Sequence, residues 1–468
     1  MRNISVVGLF AGDEGKGKVV DAFAQDVDIV ARVEGGANAG HTIKVGDFQM
    51  IGHLLPSGAM AGKICALCRG VRNDFPQLIR EVFDFPKSGK TLPEIWVDAG
   101  ALICFQWHKA IEFWAEHAKG SRKTYSTMRG MCGTAAALGL RVGPKVGMIF
   151  KPDELRAWLN DFYQVFAPIF QQPIFQEIAT KEAVGGGIME PDRAAEHLLG
   201  YADQIEALVR DVRWELVEAL KQGRSILFEG AQGLMLDPYW GTYGFNTQGI
   251  CTFAGIAVGS GLPVECLGRK IGVIKVVNTR VGNGPFVAEL GDYIITQRES
   301  KIPADQKEAW LSEMRDKINA GWASPQEIGQ YFRVIAHEYG ATTGRPRRTG
   351  WMDLAWHAYA CQVNNPDEIA LTKLDCLSGL KKLRVVTGYR LSDETLQAGQ
   401  VPALSSDLAQ VEPIYQEVDG WLEDISGETD FSKLPKQAKA YVELVERFTR
   451  PVAIIGTGPD RSAVIIRQ

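Results

Sequence analysis

A chain of 468 residues, 46% of them hydrophobic, can bury a large core as one big α/β domain or as two to three smaller ones. The formal net charge of −5 argues against a polyanion-binding surface, so nucleic acid is not an expected partner. No apolar run approaches the roughly 18 residues needed to span a bilayer, and the first residues enter an apolar segment with no charged-then-apolar leader, so a cytoplasmic protein that touches no membrane is expected.

Residues 4–7 are a short apolar run and read as a buried strand. Residues 12–18 follow as Gly-Asp-Glu-Gly-Lys-Gly-Lys and lead into Val19-Val20-Asp21. A strand, a glycine-rich turn holding a lysine and then a helix start present backbone N–H groups and one ammonium to phosphates. The spacing is not that of the Walker loop. Six residues separate Gly8 from Gly15 instead of four, and Gly17 follows Lys16 where Ser or Thr would bind magnesium. Asp13 instead sets a carboxylate among phosphates, as a metal ligand, a base, or both.

A second run, 29–33, opens onto Gly35-Gly36-Ala37-Asn38-Ala39-Gly40-His41-Thr42. So many small residues imply close backbone approach to a ligand. Of the larger ones, His41 can donate to a phosphate or protonate a leaving group. Cys65 and Cys68 have CxxC spacing, but no second pair or nearby histidines complete a zinc site, so the eight cysteines read as free thiols of a reducing compartment. Residues 105–118 and 202–222 carry apolar residues at helical spacing. Runs at 226–228, 271–277, 369–371 and 452–455 read as further buried strands. The fold class is therefore α/β: a large, mostly parallel central sheet flanked by helices, with a P-loop-like nucleotide-binding turn.

Near the C-terminal third, Arg345, Arg347 and Arg348 lie within four residues among glycines and threonines. Guanidinium pairs bidentately with carboxylates, so this cluster suits a dicarboxylate.

The turn at 12–18 and the Asn38-Ala39-Gly40-His41-Thr42 loop resemble adenylosuccinate synthetase. Further matches follow in that family's order. They are His53-Leu54-Leu55-Pro56-Ser57-Gly58, Gly139-Leu140-Arg141-Val142-Gly143, Phe228-Glu229-Gly230-Ala231-Gln232-Gly233, and Thr279-Arg280-Val281-Gly282 with Gly284-Pro285-Phe286. Next come Gly340-Ala341-Thr342-Thr343-Gly344-Arg345, Arg347-Arg348-Thr349-Gly350-Trp351, Leu371-Thr372-Lys373-Leu374-Asp375, Val411-Glu412-Pro413-Ile414-Tyr415 and Thr457-Gly458-Pro459-Asp460-Arg461. The resemblance spans nearly the whole chain, which implies a single domain over 1–468. A longer stretch than the family carries lies between Phe286 and Tyr339. Residues 292–337 read as an inserted helical hairpin, with a helical pattern at 304–318 and Ser324-Pro325 as N-cap and first helical residue.

The resemblance implies a ligase that phosphorylates the 6-oxygen of a purine nucleoside monophosphate and lets the amine of L-aspartate displace the phosphate at C6. On that pattern Asp13 removes the N1 proton and binds Mg2+ with the Gly40 carbonyl, while Lys16 and His41 stabilise the phosphoryl group in transit. Asn38, Thr127, Gln232, Thr247 and Arg345 hold the acceptor nucleotide. Thr343, Arg345 and Arg347 hold L-aspartate. Gly12, Glu14, Gly15, Lys16, Gly17, Gly40, His41, Thr42, Lys373, Asp375, Gly456 and Gly458 hold the nucleoside triphosphate. Asp375 can accept from N1–H and the 2-amino group of guanine, which favours GTP over ATP. The resemblance also implies a homodimer.

Departures from the pattern gather on the acceptor side. Ala137 and Leu138 stand where a basic pair is usual, one arginine of which crosses a dimer to the nucleotide. Met128, Met131 and Cys132 replace small residues, Phe10-Ala11 replaces Gln-Trp, Phe245-Asn246-Thr247-Gln248 replaces Val-Thr-Ser-Ser, and Pro346 replaces an arginine. IMP is the expected acceptor. The same chemistry on dGMP or GMP, as in virus-encoded relatives, is the alternative, although several of those replace the aspartate that this chain keeps as Asp13. A non-catalytic nucleotide-binding regulator and a plain NTPase are the readings of another class.

Overall fold

Short runs of Ile, Val and Leu that must be buried on both faces assemble as parallel strands, with helices covering each side. The computed structural model describes residues 3–38, 40–45, 48–173, 175, 190–340 and 344–467. At its centre are β1 (Ile4–Gly8), β2 (Ile29–Arg32), β3 (Ile64–Leu67), β4 (Ile95–Asp98), β5 (Val209–Arg210), β6 (Ile226–Gly233), β7 (Arg269–Lys275), β8 (Glu368–Thr372), β9 (Val452–Gly456) and β10 (Val464–Ile466). These ten strands form one sheet in the order β10-β9-β8-β7-β1-β6-β2-β3-β4-β5. Neighbours are parallel throughout, except that β9 and β10 are antiparallel.

Every residue of β1, β2 and β4 is buried. Val6 packs with Val19, Val20 and Phe23 of α1 (Lys16–Ala24), whereas Val7 belongs to a second cluster with Phe228, Ile274 and Trp356. Adjacent residues of a strand face opposite sides, so each face has its own core. A third core gathers Leu67, Val97 and Phe162 with Trp107 of α2 (Gln106–Ala118).

The strands expected at 4–7, 29–33, 226–228, 271–277, 369–371 and 452–455 are all in this sheet, and the helix expected at 105–118 is α2. The helix expected at 202–222 is interrupted. It forms at Ala202–Ile205, gives way to β5, and resumes at Val212–Lys221. The cause is the sheet edge. Val209 and Arg210 pair with Val97 and Asp98, the Arg210 guanidinium lies over the Trp96 ring, and Asp211 caps the second helix through Trp214 N–H at 3.1 Å. Backbone pairing at an open edge outweighs helical spacing in the sequence.

Residues 292–337 hold three helices instead of the expected hairpin of two: α3 (Tyr293–Arg298), α4 (Lys307–Asn319) and α5 (Pro325–Ile335). Asp292 caps α3 through Ile295 N–H at 2.9 Å. The start expected at Ser324-Pro325 is present as a capping box, in which Glu327 Oε2 accepts from Ser324 N–H at 2.8 Å and Ser324 Oγ from Glu327 N–H. Leu311 and Met314 of α4 and Tyr331 and Phe332 of α5 enter the large core. Ser324→Ala should therefore lower the unfolding free energy by about 1 kcal/mol in urea denaturation and leave turnover unchanged.

Candidate active site

In a parallel sheet, ligands gather beyond the carboxyl ends of the strands. The carboxyl ends of β1, β2, β6, β7, β8 and β9 and the segments after them carry Asp13, Asn38, Gln232, Arg280, Asp375 and Gly458, with Gln232 at the end of β6 itself, so one edge of the sheet assembles these residues. The turn after β1 is stapled from inside. Glu14 is buried, and its Oε1 accepts from Phe10 N–H at 3.0 Å and Gly12 N–H at 2.7 Å. Its Oε2 takes Lys16 Nζ at 2.8 Å, and Lys16 also donates to Gly12 O at 2.9 Å. Glu14 therefore shapes the turn with its side chain. Gly15, at φ 88°, turns the chain into α1, whose first-turn N–H groups have no partner within a helix. Gly8 must stay without a side chain, since a Cβ there would lie 2.4 Å from Glu14 Oε2 and 2.7 Å from Gln232 O.

Two adjoining cavities open here. The first, of about 240 Å³, is lined by Gly12, Asp13, Lys16, Asn38, Gly40, Thr127, Gln232 and Thr247 of the sequence-expected set. Asn38 Oδ1 and Gln232 Oε1 are buried without a hydrogen-bond partner. Buried polar atoms are normally satisfied, so two orphans on one cavity mark where a polar ligand completes the structure. The second cavity, of about 420 Å³, is lined by Arg280, Arg298, Arg345, Arg347 and Arg348, with Tyr293 and Gln297 of α3. Thr127 and Gly282 line both.

The arginines are not equivalent. Arg280 is spent on structure, donating to Asn283 O at 3.0 Å, Pro285 O at 3.2 Å and Thr242 Oγ1 at 2.9 Å. Arg348 is paired with Glu289 and lies over the rings of Phe286 and Tyr293. Arg347 stands between the two cavities, its Nε 3.1 Å from Asp13 Oδ2 and its Nη1 2.8 Å from Glu338 Oε2. Gln297 Nε2 donates to Pro346 O at 3.1 Å and ties α3 to this loop.

Beyond β8 and β9, Asp375 Oδ1 is another buried acceptor without a partner. Burial raises the Asp375 carboxyl above its ordinary pKa, against the pull of Lys18 and Lys373. Lys18 of α1 donates to Gly458 O at 2.5 Å and Ala463 O at 2.8 Å, and burial lowers its pKa to about 8. Arg461 makes a two-point pair with Asp21 of α1 at 2.6 Å each. The phosphate-turn helix and the loop after β9 are thus one piece. Lys373 turns away from this pocket, to Glu338 Oε1 and Ala336 O at 2.5 Å each.

His41 and Thr42 open a strand (His41–Val45), but their side chains lie outside the described ones, and Thr343 lies outside the described residues altogether. Sequence reading passed over Glu338, Lys275 and Lys18. For Lys275 a signal existed, a lysine inside the apolar run 271–277. Glu338 sits just ahead of the Gly340 motif and carries no local signal.

Among the described residues no group of three or more His, Cys, Asp or Glu could hold a metal. Magnesium needs fewer, since it is often held by one or two carboxylates and substrate phosphates. The Asp13 carboxylate and the Gly40 backbone, both on the first cavity, fit that requirement.

A family model described as adenylosuccinate synthetase matches residues 5–465. Curated proteins of that name resemble the chain over its full length. One from Pelotomaculum thermopropionicum is 35% identical, the match covering 100% of this chain and 99% of the relative. One from a Thermoanaerobacter species is 34% identical with the same coverage. The solved structure of a fully ligated adenylosuccinate synthetase from Plasmodium falciparum matches with a TM-score of 0.84 at 29% identity, covering 100% of both chains. A succinoaminodeoxyadenylate synthetase from cyanophage S-2L, bound to dGMP and dATP, shares the fold at 18% identity and a TM-score of 0.55, covering 100% of this chain and 95% of its own.

Because Asn38 Oδ1 is unsatisfied without ligand, Asn38→Ala should leave the melting temperature of the free protein unchanged or slightly raised. The same variant should weaken binding of a nucleoside monophosphate by about tenfold or more, the worth of roughly one hydrogen bond, by titration calorimetry.

Proposed function

The chain belongs to the adenylosuccinate synthetase family, ligases that form a C–N bond, and from that premise we propose that it joins L-aspartate to C6 of IMP at the expense of GTP. The observation that carries this reading is the junction of the two cavities at Asp13 and Arg347. A purine ring in the first cavity would meet Asp13. An amino dicarboxylic acid in the second would meet Arg345 and Arg347.

The chemistry follows from that layout. The 6-oxygen of a purine is a poor leaving group. Asp13 takes the proton from N1, electron density moves to O6, and O6 attacks the γ-phosphorus while the nucleoside diphosphate departs. The amine of L-aspartate then attacks C6, inorganic phosphate leaves with the former O6, and the amine gives up its proton. Lys16 and the N–H groups at the start of α1 hold the transferring phosphoryl group, since this step depends on positioning and charge neutralisation. When bound at Asp13 and Gly40, Mg2+ supplies further neutralisation of the phosphate oxygens. Asp375, whose Oδ1 is a buried acceptor without a protein partner, suits the N1–H and 2-amino donors of guanine. His41 is placed on the phosphoryl group by resemblance, as are Thr343 at L-aspartate, homodimer formation and a cytoplasmic setting. No helix among the described residues is long and apolar enough to cross a membrane.

One observation favours a second acceptor. Ala11, Met131 and Cys132 line the first cavity, in places where the family has other side chains. dGMP or GMP is therefore the alternative substrate. Crossing IMP, dIMP, GMP and dGMP with GTP and ATP, with L-aspartate present, should give the succinyl product fastest from IMP and GTP. Fastest turnover of dGMP would transfer the assignment to the alternative. Phosphate release without monophosphate or aspartate would mean a hydrolase, and binding without release a regulator.

Asp13→Asn should cut kcat by about 100-fold or more, the range of a general acid or base, with the circular dichroism spectrum intact. It should also stop transfer of labelled O6 into inorganic phosphate. Arg345→Met should raise the KM of L-aspartate by about tenfold or more, as loss of one charge-assisted contact does, and change the nucleotide KM far less.

A further inference from the structure

Beside the two cavities lies a buried carboxylate, Glu338, to which the reaction scheme assigns nothing. Glu338 is 0% exposed. Its Oε1 accepts from Lys275 Nζ at 2.8 Å and Lys373 Nζ at 2.5 Å, and its Oε2 from Arg347 Nη1 at 2.8 Å. Each cation belongs to a different working segment. Lys275 ends β7 and also donates to Asp13 O and Thr279 Oγ1, both at 2.6 Å. Lys373 stands two residues before Asp375. Arg347 reaches Asp13 Oδ2 with its Nε at 3.1 Å.

A buried ion cluster is a poor source of net stability, because desolvation consumes most of the Coulombic gain. Its consequence is geometric: one carboxylate fixes the separation of three cations. Burial alone would raise the Glu338 pKa, but Lys275, then Lys373 and Arg347, hold it below the usual carboxylate range, so it stays an anion. Arg347 thus has two carboxylate partners, Asp13 on the first cavity and Glu338 in the buried cluster.

We infer that Glu338 is a positioning residue, which holds Arg347 on the amine-donor cavity. The inference rests on the amine-donor reading of the second cavity given above. Glu338 touches neither substrate; it acts through its cations.

The test is Glu338→Gln in the full-length enzyme, with the KM of L-aspartate, kcat, the Kd of the nucleoside monophosphate and the melting temperature all measured. The aspartate KM should rise about 10- to 100-fold, the worth of a charge-assisted hydrogen bond, with a nucleotide Kd within about twofold of the original. Glu338→Asp, which keeps the charge on a shorter arm, should recover part of the loss. If Glu338→Gln does not fold because Lys275 is left unpaired, the double variant Glu338→Gln/Lys275→Met removes anion and cation together and should still show the raised aspartate KM. An unchanged aspartate KM in whichever variant folds overturns the inference, and so do equal rises in aspartate KM and nucleotide Kd. Arg345→Met separates the two layers. If it raises the aspartate KM while Glu338→Gln does not, only the positioning role falls. If neither does, the amine-donor reading falls and takes this inference with it.

Discussion

A charge buried inside a strand must be paired, because an uncompensated ion in a low-dielectric interior costs several kcal/mol. Arg32, Glu229 and Lys275 are buried charges within β2, β6 and β7, and their pairing determines where the loops of the site run. Arg32 is satisfied by backbone carbonyls, including Gly36 O at 2.9 Å and Glu34 O at 3.3 Å, which curl the 34–38 loop back over its own strand. Glu229 collects Ser57 N–H and Ser57 Oγ at 2.8 Å each, which draws in the segment after Pro56. Lys275 takes Asp13 O and Glu338, and so binds the phosphate turn to the segment ahead of the arginine loop. The parallel sheet sets the strand ends side by side, and the buried ions convert that alignment into a fixed site.

The result divides into groups that are satisfied and groups that are waiting. The phosphate turn is satisfied without ligand: Glu14, Lys16, Gly12 and Phe10 form a closed set of hydrogen bonds. Such a turn does not have to be organised by the nucleotide, and preorganised charge is the cheapest way to stabilise a transferring phosphoryl group. The acceptor cavity is the reverse, with Asn38 and Gln232 each presenting an oxygen that has no partner. Their desolvation is a cost that the correct ligand relieves, and an analogue lacking the matching donors leaves it standing. Discrimination of that kind rests on unpaired buried groups more than on shape.

How much of this was legible in the sequence depends on range. The strands were legible because burial on both faces forces unbroken apolar runs, and the turn at 12–18 because glycine at φ 88° and 99° leaves a mark that no other residue replaces so cheaply. The N-cap at Ser324 was legible because a capping box is local. The interruption of the helix expected at 202–222 was not, since it depends on an open edge more than a hundred residues away in the chain, at Val97 and Asp98. Among the site residues, Asp13 and Lys16 stood out in their glycine-rich turn and Asn38 in its small-residue loop, whereas Gln232, inside β6, was named only through the family resemblance. Lys373 belonged to a recognisable motif, but its partner Glu338 lies 35 positions away, and so its actual direction could not be read. Glu338 illustrates the general limit: a charge whose partners are brought by three different segments has no spacing rule to betray it.

The departures from the family pattern do not carry equal weight once they are placed. Phe10 is buried against Phe286, Trp356 and His357, with ring centroids 5.7, 6.3 and 5.6 Å away. It faces the core, and its exchange is a matter of packing. Ala11, beside it, lines the acceptor cavity, as do Met131 and Cys132. Met131 also supports the opposing loop, for a Cβ on Gly36 would lie 2.7 Å from its Cε. The small-residue loop after β2 and the altered stretch at 126–133, whose last residues 131–133 begin a helix, are therefore in direct contact, and a larger residue in one is accommodated by glycine in the other. Asn38, two residues beyond Gly36, presents its unpaired oxygen into the same cavity. A change of acceptor would thus require no rebuilding of the phosphoryl or amine-donor machinery. It would act through the contact between these two segments, which both line the cavity.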